Sequence, residues 1–247
     1  IDGGVQAAVR AARAADVAVL TLGLPGNHSG ETSSMTSVEL PQAQKELLAA
    51  VKSVGKPVVV LLVTGRPMAL DSVDEFMDAL LVVWHPGTAG GDALADLLSG
   101  DYSPSGHLTM SFPRCDGQIP VRYNYKSTGR PLTNQMDYIQ SHKAKKNYQT
   151  SYLFTPNSPL YPFGYGLSYT QFEFADLLVL DPEVEMGEDV RVKVRVTNVG
   201  NVAGTTVAQL YIRDKVASTT RPVRELKGFE RVSLEPGASA EVLFTVT

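Results

Sequence analysis

The stretch "LGLPGNHSGETSSMTSVELP", residues 22–41, is where this 247-residue chain looks most able to do chemistry. Glu31 stands there among Gly, Ser and Thr, eight residues past Gly23, where an apolar run closes. Small residues leave room for a ligand, and their hydroxyls can orient it. A carboxylate so placed can donate or accept a proton. The competing reading is a solvated loop charge. A lone carboxylate does little by itself; two carboxylates across a sugar make a glycosidase. His28 can reach the same cleft as Glu31 and is the candidate ligand-contacting residue. Ser37 or Glu39, just before the next helical pattern, is expected to cap that helix. His85 follows Trp84 at a strand end and is expected to pack or to make a single hydrogen bond. No H-x-x-x-H pair or Cys pair accompanies these histidines, so no metal site is expected. Serine-based hydrolysis lacks its G-x-S-x-G elbow. "GTAGGDALAD" (87–96) lacks the dinucleotide and P-loop signatures and reads as close helix–strand packing.

The elements that must position Glu31 fall into two textures. Up to about Pro113, short apolar runs alternate with helical patterns. "VQAAVRAARAA" (5–15), "PQAQKELLAAVKSVG" (41–55) and "GGDALADLLSG" (90–100) read as helices, the second with Pro41 in its first turn. "VAVLTLG" (17–23), "PVVVLLVTG" (57–65) and "DALLVVWHPG" (78–87) read as buried strands. Apolar strands without alternation, separated by helices, imply a parallel sheet covered on both faces. Ligand sites in such sheets form at the carboxyl ends of strands, where Glu31 lies.

From Gln171 the chain turns to short alternating strands. "VRVKVRVTN" puts valines on one face and Arg, Lys and Thr on the other, the period of a half-buried antiparallel strand. Five such runs, separated by "DPEVEMGE", "NVGNVAG" and "LEPGAS", suggest a β-sandwich of the immunoglobulin or fibronectin III kind. Between the textures runs a strap rich in Tyr, Pro, Gly, Asn and Lys, with little periodicity. A connection of that length is usually functional or lies across another domain, and its tyrosines argue against disorder. The expected division is an α/β domain at 1–114, the strap at 115–170 and the sandwich at 171–247.

Composition narrows the function classes. At 43% hydrophobic and 19% charged residues, the chain has material for real cores. The net charge of −4 argues against a nucleic-acid groove or an anionic-membrane patch, despite Tyr and Lys between 122 and 152. With one cysteine, Cys115, no intrachain disulfide forms. No apolar run approaches the ~18 residues of a membrane span. Both ends are expected to be cut from something longer.

Six segments in order carry a resemblance: "LLVTGRPMAL", "VVWHPGTAGGDALADLLSGDYSPSGHLTMSFP", "STGRPL", "PLYPFGYGLSYTQFEF", "VTNVGNVAGTTVAQLYI" and "RPVRELKGFERVSLEPGASAEVLF". Together they resemble the C-terminal part of glycoside hydrolase family 3 β-glucosidases, especially the bacterial periplasmic type. The resemblance covers nearly the whole chain. It implies a barrel domain that is absent here, an α/β sandwich whose opening strands are absent, and a fibronectin III-like domain without its final strands. It also implies a barrel Asp as nucleophile and a loop Glu as general acid/base. "HSGETSSMTSVELPQAQ" matches that loop, and its glutamate is Glu31. Two departures are visible: Met35 stands where related sequences often carry Arg, and "GHLTMSFP" replaces a common "GKLPMSFP".

The resemblance implies a retaining exo-acting β-glucosidase that needs no metal or cofactor, acts on β-glucosides or cello-oligosaccharides, and is periplasmic or secreted. β-Xylosidase or another exo-glycosidase is the alternative within the family; a non-catalytic scaffolding module is the alternative outside it. The strap is expected to pack on the missing barrel. The fibronectin III-like part is expected to act as scaffold or as the contact surface of a homodimer.

Overall fold

A computed structural model describes residues 2–28, 30–130 and 151–247. Part of the strap, 131–150, and Ser29 beside the candidate glutamate lie outside the described residues. The chain divides into two compact units. One takes the chain up to Thr88, Met110–Val121 and the described residues up to Pro162. The other takes Ala89–Thr109, the described residues from Arg122, and Phe163–Thr247.

In the first unit, α1 (Asp2–Ala14), β1 (Ala18–Gly23), α2 (Gln42–Lys52), β2 (Val58–Val63) and β3 (Ala79–Val82) follow one another. The strands form a parallel sheet in the order β1-β2-β3, with Ala18 beside Val58 and Val59 beside Ala79. The β-branched run of β2 explains its central place: Val58, Val60, Leu61 and Leu62 are all buried. Leu48 and Val51 of α2 are buried as well. Each such side chain is worth about 1.5–3 kcal/mol on leaving water. α2 packs on α1 and on β1. Because the strands are parallel and in register, Gly23, Val63 and Val82 end on one edge of the sheet.

The start of α2 corrects an expectation. Neither Ser37 nor Glu39 caps it; Pro41 is the cap residue and makes no side-chain hydrogen bond. The Pro41 carbonyl accepts from the amides of Gln44 and Lys45. Glu39 pairs instead with Lys45, and the Ser37 hydroxyl accepts from the Glu39 amide at 3.3 Å. The intervening Leu40, 3% exposed, carries the chain inward before the helix begins.

Part of the strap is fastened within the same unit. Phe112, fully buried, exchanges backbone hydrogen bonds with Leu160 and Tyr161. Its ring meets Trp84 and Tyr161 at 5.9 and 6.2 Å. Buried Gln118 donates to the carbonyls of Pro156 and Ser158 and accepts from the Arg114 amide. Arg114 in turn reaches Asp71 at 2.7 Å.

The second unit holds α3 (Gly90–Ser99) and the strands β4 (Phe172–Val179), β5 (Val190–Asn198), β6 (Gly204–Ile212), β7 (Glu225–Leu234) and β8 (Ser239–Val246). The Tyr169 hydroxyl donates to the Leu97 carbonyl of α3 at 2.7 Å. Among the described residues, β4-β5-β8 form one antiparallel sheet and β6-β7 another. Their inner faces meet around Val196, Ala208, Val232, Leu234, Val242 and Phe244. The alternation of β5 works as its sequence implies. Val192 and Val196 are buried, while Arg191, Lys193 and Arg195 pair with Asp181, Glu241 and Asp176. The Asp181 carboxyl is held down at about 2, first by the Arg191 side-chain hydrogen bonds and then by the Arg191 amide.

One polar residue sits inside this apolar layer. Asn198 is fully buried, and its amide is fully used. Nδ2 donates to the carbonyls of Val202 and Leu234 at 2.8 and 3.0 Å, while Oδ1 accepts from the Thr170 hydroxyl and the Gly200 amide. An isosteric Asn198→Asp change would face an oxygen against two carbonyls. We expect it to cost about 3 kcal/mol in urea denaturation, because the buried Leu234 carbonyl and the part-buried Val202 carbonyl lose their donor and a charge is placed in an apolar layer. Wild-type stability in that variant would mean the amide is not fixed this way.

Candidate active site

The loop carrying Glu31 is clamped at both ends. Gly23 closes β1 with its amide donating to Gln44 Oε1 and its carbonyl accepting from Gln44 Nε2, both at 2.8 Å. The next amide, of Leu24, donates to the Val63 carbonyl of the neighbouring strand. Gly23 has φ +140, and a Cβ there would lie 1.8 Å from the Val63 oxygen, so no other residue fits. At the far end, the Val38 amide donates to Asp116 Oδ1 at 2.9 Å, and the Val38 carbonyl accepts from the Ala69 amide.

Between the clamps the backbone turns tightly. Residues Gly26–His28 form a single 3₁₀ turn, closed by the His28 amide on the Pro25 carbonyl at 2.8 Å. Glu31 follows between Gly30 at φ 132 and Thr32 at φ 67. The Ser33 amide donates to the Gly30 carbonyl across this turn. Glu31 is exposed, and among the described residues its carboxylate has no hydrogen bond or ion pair. His28 Nδ1 is buried without a hydrogen-bond partner among the described residues. A buried polar atom left so costs about 1–3 kcal/mol and calls for an explanation. The two candidate residues therefore share one clamped loop at the carboxyl edge of the sheet.

The same edge holds a second unusual feature. Trp84, just past β3, has φ 51. For a bulky aromatic this left-handed conformation is an outlier, costing on the order of 1–3 kcal/mol. Its indole packs on buried Phe112, and the following His85 is exposed. In the loop after β2, buried Thr64 uses its hydroxyl on both the amide and the carbonyl of Arg66. The Gln44 clamp and the twist at Trp84 were not readable from sequence. Gln44 lies 21 residues from its partner, and a surface-like glutamine in a helix gives no signal.

In the second unit, a cleft of about 620 Å³ is lined by His107, Gln209, Thr205, Phe172 and Phe174 among others. Burial pushes the His107 imidazole down, partly offset by its contact with the Ser105 carbonyl. Among the described residues, no carboxylate lines this cleft. Among the described residues, no cluster of His, Cys, Asp or Glu is arranged to hold a metal ion.

A parallel α/β sheet with a carboxylate loop at its carboxyl edge, followed by a fibronectin III-like sandwich, defines the class of protein. The glycosyl hydrolase family 3 C-terminal domain matches residues 2–169, and a fibronectin type III-like domain matches 206–247. The chain belongs to glycoside hydrolase family 3, as its C-terminal portion. It is 46% identical over 242 residues to the periplasmic beta-glucosidase of Salmonella typhimurium, a match covering 98% of this chain and 31% of that protein. It is 39% identical over 241 residues to a beta-xylosidase of Formosa agariphila, with 98% and 31% covered. The crystal structure of beta-glucosidase from Listeria innocua in complex with isofagomine superposes with a TM-score of 0.90 at 43% identity, covering 100% of this chain and 33% of that one. The chain thus spans about a third of the length of the relatives it matches.

Proposed function

We propose that this chain is the part of a retaining exo-acting β-glucosidase that supplies the general acid/base, Glu31, to a nucleophilic Asp carried by a barrel domain. The observation that carries this reading is an exposed carboxylate, unpartnered among the described residues, in a loop clamped at both ends on the sheet's carboxyl edge. A rigid base holds the acid in place, and its open crest leaves it accessible to substrate. In the reaction, the barrel Asp attacks the anomeric carbon while protonated Glu31 donates to the departing glycosidic oxygen. Glu31, then a carboxylate, takes a proton from the water that hydrolyses the glycosyl-enzyme. Retention requires the two carboxyls about 5–5.5 Å apart.

His28 is read as the substrate contact of the same loop, its Nδ1 being without a partner among the described residues. The division into an α/β domain at 1–114, a strap at 115–170 and a sandwich at 171–247 is kept with this reading. The Salmonella relative supports β-glucosides as substrates and a periplasmic or secreted location. The Formosa relative favours a second reading, β-xylosidase, with the same chemistry at Glu31.

With one candidate carboxylate and no barrel, the purified chain alone is expected to turn over no aryl β-glucoside or aryl β-xyloside. Measurable turnover that disappears in Glu31→Ala would overturn the division of labour between the two domains.

A further inference from the structure

The loop after β3 carries a feature that acid/base chemistry does not use. His85 is exposed, and its ring turns its Nε2 edge toward Gly65, where a Cβ would sit 2.8 Å from Nε2. Among the described residues its imidazole makes no hydrogen bond or ion pair. Position 65 must be bare for the ring to rest there, and the left-handed Trp84 precedes it. Backbone strain beside an exposed polar side chain is the pattern of a functional position rather than of packing.

The place is set by the sheet. β1 and β3 flank β2, so at about 4.8 Å per strand their carboxyl ends lie about 10 Å apart on one edge. Glu31 is in the loop after β1 and His85 in the loop after β3. Crevices outside the carboxyl ends of such strands are where ligands bind. In a retaining glycosidase the acid/base flanks the scissile bond from the side of the departing group, opposite the nucleophile.

We propose that His85 is a specificity-determining residue of this site, hydrogen-bonding a hydroxyl of the leaving-group sugar. An imidazole suits the task because it can donate from one nitrogen and accept at the other. Gly65 is its positioning residue, leaving room for the Nε2 edge of the ring. This rests on the reading of Glu31 as the acid/base.

The test uses the barrel-containing enzyme, with a β-linked disaccharide that it turns over (cellobiose or xylobiose) and the matching p-nitrophenyl glycoside, whose leaving group carries no sugar hydroxyl. His85→Ala is expected to lower kcat/KM on the disaccharide by about three- to tenfold more than on the aryl glycoside, the worth of one neutral hydrogen bond. His85→Gln should recover part of the difference. Gly65→Ala, which crowds the ring, should show the same bias, and adding it to His85→Ala should deepen the bias no further. Equal losses on both substrates, or no loss, would overturn the proposal. Azide rescue of Glu31→Ala in the same assays reports on the acid/base independently, so a failure of either assignment is recognised separately.

Discussion

Replacing Glu31 with Ala in the barrel-containing enzyme is expected to slow a disaccharide by about 10³–10⁴-fold, and an activated aryl glycoside far less in its first step. The reasoning lies in which bonds need a proton. A sugar leaving group departs as a poor alkoxide unless it is protonated, so the first step takes the whole general-acid contribution, commonly 10²–10⁴-fold. A nitrophenolate leaves without help. For such substrates the barrel Asp still forms the glycosyl-enzyme, and the defect moves to the second step, where water lacks its base. Azide needs no base and should restore turnover on the activated substrate, giving a glycosyl azide of retained configuration. The exposed position of Glu31, without a hydrogen bond or ion pair among the described residues, bears on this expectation. Removing it breaks no hydrogen bond or ion pair among the described residues, so the chain should melt as wild type does. Wild-type rates on the disaccharide would show that Glu31 is not the acid. Loss of rate with no azide response and a lowered Tm would show that its role is structural.

Much of the scaffold around that residue was legible because apolar periodicity is a strong signal. β2 is a run of six aliphatic residues, four of them β-branched, and its shortness marks it as a buried strand rather than a helix. β5 announces its two faces through strict alternation, and the structure pairs its Arg and Lys with acids as that alternation implies. The position of the loop that carries Glu31 was legible for a different reason: a strand end, a polar glycine-containing loop and a helix follow each other within 20 residues. What stayed hidden depends on partners distant in sequence. Gln44 looks like an ordinary surface residue of α2, yet it forms two bonds to Gly23. Asp116 lies 78 residues from the Val38 amide that it accepts from. Asn198 reads as the start of a turn in "VTNVG", and only the sandwich reveals it as a buried four-bond centre. The expected caps Ser37 and Glu39 failed because proximity to a helix does not decide where the chain enters it. Leu40 had first to be buried, which left Pro41 at the cap.

Gly23→Ala tests whether the clamp, rather than the loop's own sequence, holds Glu31, the proposed acid/base. The new Cβ would lie 1.8 Å from the Val63 oxygen and 2.7 Å from its carbonyl carbon. Both are backbone atoms of the central strand, so they cannot swing aside as a side chain would. Retreat would open the ladder at Gly23–Val63 and the Leu24 amide bond to Val63. An alternative φ would relieve the clash but would turn the Gly23 amide and carbonyl away from Gln44. Either route loses several bonds at the edge of a buried sheet, and we expect more than about 4 kcal/mol of destabilisation in urea titration, at the upper end for single substitutions. Gly26→Ala is the internal control, since a Cβ there meets nothing within 4 Å. It should stay within about 0.5 kcal/mol of wild type. If enough Gly23→Ala enzyme folds to assay, its kcat should drop by about 10²-fold, because displacement of a catalytic group by about 1 Å costs that much. Equal stability of the two variants would mean that β1 and β2 do not meet at Val63 in this register, and the placement of Glu31 on that edge would fall with it.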